Sequence, residues 1–157
     1  MSIAILALMA WIVMIVFVII PKRLTLTELL FLYFVIVIFT ITLFTVLDIN
    51  LQWAPLTRRT EGSFAMYICR FVYIPLLVLL GAAALLSRLR AKWRGAWTFI
   101  IVLALTGADR VYLQLDLLKF KHWNSGYSFL MYGAFVILIW RIARWYIDLD
   151  KEVSSPS

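Results

Sequence analysis

Polar breaks divide the chain into apolar runs of about twenty residues. A helix rising about 1.5 Å per residue needs that length to cross a hydrocarbon core of about 30 Å. Five such runs are legible, over residues 2–20, 26–47, 64–86, 96–118 and 127–147. Hydrocarbon offers no water to satisfy backbone N–H and C=O groups, so each run must close its hydrogen bonds within itself as helix. The sequence therefore predicts an all-α fold: a polytopic membrane helix bundle of five transmembrane helices, one domain over 1–147, with a short polar tail at 148–157. Composition supports this, because 65% of the residues are hydrophobic and only 15% charged, whereas a water-facing surface needs roughly 25%.

Charge placement predicts the orientation. Pro21, Lys22 and Arg23 follow the first run, the reverse of a cleavable leader, whose charges precede its apolar stretch, so the first helix is expected to be retained. Five crossings put the first loop, the third loop and the tail on one side. That side holds Lys22, Arg23, Arg88, Arg90, Lys92, Arg94, Arg141, Arg144 and Lys151, against Arg58, Arg59, Lys119 and Lys121 on the other. This bias places the C-terminus in the cytoplasm and the N-terminus outside. The net charge of +7 sits in these flanks, and no basic helix or aromatic platform points to nucleic acid. Tryptophans near the run ends read as interfacial anchors.

Within the spans, Pro75 predicts a kink in the third helix, tolerable where a neighbour satisfies the carbonyl it frees. "GAAALL" at 81–86 offers a small-residue face for close helix packing. The single cysteine, Cys69, excludes an intramolecular disulfide and reads as a small buried hydrophobe.

Polar residues inside the spans fall on one side of the expected midplane. Asp109 stands twelve residues beyond Trp97, roughly 18 Å along the fourth helix, and Asp116 lies about two turns further out. Asp48 closes the second helix on the same external side, and Arg70 enters the third from there. Asp109 and Asp116, seven residues apart, share nearly one helix face with Tyr112 between them, while Arg110 points about 100° away. A lipid-facing aspartate costs about 2.5–3.5 kcal/mol at the helix centre. Asp109 and Arg110 are therefore expected to face the interior or an external recess, with Arg70 as the partner of Asp109 and Asp48 as the other acid within its reach; Arg110 can also snorkel outward.

Catalysis finds little support. His122, beside Trp123 in an external loop, has no second ligand at metal-site spacing, and no phosphate-binding loop, zinc-protease pair or nucleophile elbow occurs. Trp53, His122 and Trp123 are expected at the membrane interface. No cofactor or metal is expected.

"LDINLQWAP" at 47–55 and "KHWNSGYSFLMY" at 121–132 resemble a family of small uncharacterised multi-pass membrane proteins of endospore-forming Gram-positive bacteria. Its members look like bundles of about five short helices, with an acidic residue closing the second, a tryptophan and proline after it, and a Ser-Phe-x-x-Tyr opening to the last. Those positions here are Asp48, Trp53, Pro55, Ser128, Phe129 and Tyr132. The resemblance implies a bacterial cytoplasmic membrane and a link to sporulation, and brings no activity or cofactor with it.

The resulting expectation is a non-enzymatic accessory or envelope protein in contact with the lipid bilayer, with a membrane-protein partner or a second copy of itself. Its external cluster of Asp48, Arg70, Asp109, Arg110, Tyr112 and Asp116 would bind a partner or a small polar ligand. The alternative is a transporter or channel subunit for a small solute or proton, in which intramembrane ionisable groups line a path. A purely architectural use of the charges, to set helix order and register, competes with both.

Overall fold

A computed structural model of the protein describes residues 2–21, 24–53, 60–119, 121 and 124–154. Among these, five helical rods form: α1 (Ser2–Ile19), α2 (Leu26–Asn50), α3 (60–86), α4 (Ala91–Gln114) and α5 (Ser125–Ser154). α2 to α5 each contain a stretch long and apolar enough to cross a membrane. α1 is apolar but shorter, its 18 residues reaching about 27 Å. Leu8, Val18, Phe34, Ile38, Phe99, Leu103 and Leu130 are all more than half exposed on the outside of the bundle. Such a surface suits lipid and not water, and the chain is a multi-pass membrane protein.

α3 is the hub. α1, α2, α4 and α5 all pack on it, α5 also packs on α2 and α4, and α1 touches no other helix among the described residues. The small-residue face explains the central position. Gly81 and Ala82 are buried, and a Cβ added at Gly81 would lie 3.0 Å from Cγ1 of Val136 on α5. Without a side chain there, the α3 and α5 backbones approach closely enough for dispersion to hold them, the main attraction left when lipid is as apolar as leucine.

Two ends can be told apart. At one, the Lys121 N–H donates to the Trp53 carbonyl at 3.0 Å, joining the loops that follow α2 and α4. At the other, Pro21 after α1 and Ser87 after α3 line a common cleft, and Phe31 of α2 stacks on Tyr146 of α5 at 4.3 Å between ring centres. They are called the polar end and the basic end below. At the basic end α2 opens with a capping box: the Thr25 N–H donates to Glu28 at 2.6 Å, and the Glu28 N–H to the Thr25 hydroxyl at 3.3 Å. That exchange holds the carboxylate of Glu28, which is buried.

Helix boundaries depart from the apolar runs. α3 and α4 start four and five residues early, and α5 continues to Ser154, so much of the segment read as a polar tail is a helical extension. Hydropathy marks the stretch that lies in hydrocarbon, whereas helical hydrogen bonds continue into the interface, where charged side chains are welcome. α4 also ends early, at Gln114.

Both α2 and α3 contain a π-helical turn, Val46–Asn50 and Cys69–Tyr73. The second precedes Pro75, where the sequence predicts a kink. Proline has no N–H for the carbonyl of Phe71 four residues back. The Tyr33 hydroxyl of α2 donates to that carbonyl instead, at 2.7 Å. A neighbouring helix thus satisfies the freed group, as the sequence requires.

Candidate functional site

Arg70 lies in the π turn of α3 and Asp48 in the π turn of α2. A π turn takes one residue more than an α turn, which displaces a side chain from the regular face and is a recurrent device at functional sites. The Arg70 guanidinium sits over the Phe44 ring, 4.9 Å from its centre, within cation–π range. Asp48, one turn beyond Phe44 on α2, is the acidic group that acts electrostatically on Arg70. An aromatic and an acid four residues apart on one helix thus both act on a cation from the next, the ring by contact and the carboxylate through its charge. The Nε and Nη2 of Arg70 are nevertheless buried with no hydrogen-bond partner.

Asp109 is only 3% exposed, so it faces the interior as expected, but its partner is different. The Tyr132 hydroxyl of α5 donates to it at 3.1 Å, and the Ser128 hydroxyl one turn earlier also bonds to it. The expected ion pair of Asp109 with Arg70 is therefore corrected: Arg70 turns to Asp48 on α2, and two hydroxyls hold Asp109. The geometry explains why, since α5 packs directly on α4 and presents both donors on one face. Nearby, the Tyr73 hydroxyl donates to the Ala104 carbonyl at 3.3 Å. Tyr112 is fully buried, with its hydroxyl beside the Cys69 thiol. Cys69 itself is buried, as the sequence suggests.

Arg110 is exposed on the outer face of α4, which excludes the interior and leaves the external side among the positions expected for it. Asp116 does not share a helix face with Asp109, because the helix has already ended. Asp116 adopts φ 54°, its N–H bonds to the Leu113 carbonyl at 3.2 Å, and the Leu117 N–H bonds to Tyr112 at 2.9 Å. This pair of bonds is a Schellman cap with aspartate in the left-handed position, followed by buried Leu117. Gln52, at φ 50°, ends α2 at the same end of the bundle. Trp53 is exposed in the loop after α2, consistent with an interfacial site. His122, Trp123, Pro55, Arg58 and Arg59 lie outside the described residues.

The cluster therefore separates into two parts. Around Asp109 the acceptor and its donors satisfy one another, a closed knot that orders α4 against α5. Around Arg70, buried guanidinium donors are left over. Phe44, Tyr33 and Tyr73 are not among the site residues expected from the sequence. Ser128 and Tyr132 entered only through the family resemblance, although their spacing of four residues on the last helix was the available signal. Among the described residues no group of three His, Cys, Asp or Glu side chains is placed to hold a metal ion. No family model matches the chain, and neither a curated protein nor a solved structure shows significant similarity to it.

Proposed function

We propose that the protein is a non-enzymatic, five-span accessory component of a bacterial cell envelope, acting in sporulation, with the polar end outside and the C-terminus in the cytoplasm. Arg70 binds an acceptor group, a carboxylate or carbonyl, presented by a membrane-protein partner or a small polar ligand. The observation that carries this reading is the pair of Arg70 guanidinium nitrogens buried without a hydrogen-bond partner. Such donors cost free energy when unmade, and more when charged, so an acceptor supplied from outside the chain gains what the chain itself forgoes. Phe44 and Asp48 hold the guanidinium in place beforehand, which lowers the cost of ordering it on binding.

Phe71 is exposed next to Arg70 in the sequence and can carry a photoreactive residue. Cross-linking from that position in native membranes should capture a discrete partner, or yield a small ligand that competes with capture. The adduct should disappear in Arg70→Met and persist in Arg110→Gln. An adduct pattern indifferent to Arg70→Met, together with unchanged envelope and sporulation phenotypes, sinks the proposal.

A further inference from the structure

The basic end holds a cleft of about 490 Å³ between the C-terminal ends of α1 and α3 and the N-terminal part of α4. Ile20, Pro21, Ala84 and Ile101 line its apolar wall, and Arg88 and Trp97 stand on its lining as the cationic and aromatic groups. Its origin is topological. α1 and α4 both pack on α3, yet among the described residues no Cα of one comes within 8 Å of a Cα of the other. A gap between two helices on the face of a third gives an acyl chain room to lie between them.

We propose that this cleft is a binding site for an anionic phospholipid, one acyl chain lying along the Ala84 wall and the phosphate meeting Arg88. Three observations support that occupant. The volume falls within the about 300–1,000 Å³ of small-molecule sites, and the wall is apolar where a chain would lie. Arg88 is exposed in the loop after α3, exposed Arg90 and Lys92 follow it into the start of α4, and Lys22 and Arg23 follow Pro21 in sequence. Among the described residues no acidic side chain lines the cleft. Glu28, the acid nearest in sequence to the α1 end, is held in its capping box. Basic pockets between membrane helices bind anionic lipid head groups. Trp97, exposed on the same cleft, has the amphipathic ring that favours the headgroup boundary.

The test uses the full chain in a non-ionic detergent, with native mass spectrometry during titration of phosphatidylglycerol or phosphatidylcholine bearing identical acyl chains. The first phosphatidylglycerol adduct should form with about fivefold or greater preference over phosphatidylcholine, the worth of about one basic residue at an anionic lipid surface. Ala84→Trp, which fills the cleft, should abolish that tight first adduct; the gentler Ala83→Leu should weaken it should the tryptophan variant not fold. Arg88→Gln, a surface change with little bearing on folding, should bring the two lipids within about twofold of each other. Equal binding of the two lipids by the unaltered protein overturns the proposal, as does a preference that survives either cleft filling or Arg88→Gln. A dimer whose formation excludes the lipid overturns it too, since a second copy would then be the occupant.

Discussion

The two halves of α3 meet their neighbours by different physics. From Thr60 to Tyr73 the helix contains a π turn, and it associates through directional groups: Arg70 over Phe44, Tyr33 on the Phe71 carbonyl, and Tyr73 on the Ala104 carbonyl. From Ile74 to Leu86 it is regular and almost wholly apolar, and the contact that sets its distance from α5 is Gly81 against Val136. Polar contacts specify which atoms meet but tolerate small changes of separation. Steric contacts specify separation and are indifferent to the identity of the atoms. A bundle in lipid, lacking a hydrophobic drive to bring its helices together, uses both.

Substitutions that interrupt one mode should therefore spare the other. The largest effect is expected at the steric half. Gly81→Leu must displace Val136 and should destabilise the folded bundle by about 3 kcal/mol, the upper part of the overpacking range; Gly81→Ala should cost less, because the valine need give only a few tenths of an ångström. Unfolding of detergent-solubilised protein by sodium dodecyl sulfate titration measures both, and equal stability of the leucine variant would show that α3 and α5 do not touch there.

Next comes the knot at Asp109. Asp109→Leu strands the Tyr132 and Ser128 hydroxyls and should cost about 1–3 kcal/mol in the same titration, whereas Asp109→Asn keeps an acceptor and should recover more than half of that. If Leu and Asn behave alike, hydrogen bonding is not what holds α4 on α5.

A smaller effect belongs to Tyr33. Tyr33→Phe should cost about 0.6 kcal/mol, a typical value for hydrogen bonds between membrane helices. That cost should shrink in a Pro75→Ala background, where residue 75 regains an N–H for the α3 backbone. A double-mutant cycle reads the coupling directly, and strict additivity would mean that Tyr33 does not compensate for the proline. The smallest change is expected at Arg110, exposed on the outer face of α4, where Arg110→Gln should stay within about 0.5 kcal/mol of the unaltered protein.

How much of this could be read in advance depended on whether a feature is local. The apolar runs, the close packing at Gly81, the burial of Asp109 and Cys69, and the need for a donor near Pro75 follow from one helix and its solvent. The partners do not, because which hydroxyl or cation reaches Asp109 depends on the order of helices around α3. The Asp116 error was local but chemical. A periodicity argument continues a helix until something stops it, and the usual stop, glycine in the left-handed position, is replaced here by aspartate, one of the few other residues that tolerates it. The π turns left no pattern that a period of 3.6 could reveal.

The π turn of α3 also determines how the helix responds to a change in its length. Removing one residue from regular α-helix turns everything beyond it by about 100°, which would swing Gly81 away from Val136. Removing one from Cys69–Tyr73 would instead convert the wide turn to an ordinary one and leave both flanks facing their present neighbours. α3 thus carries its own spare residue. The window in which the chain can be shortened without losing register is the one that holds Arg70, so a single-codon deletion there separates the bundle's architecture from the group proposed to do its binding.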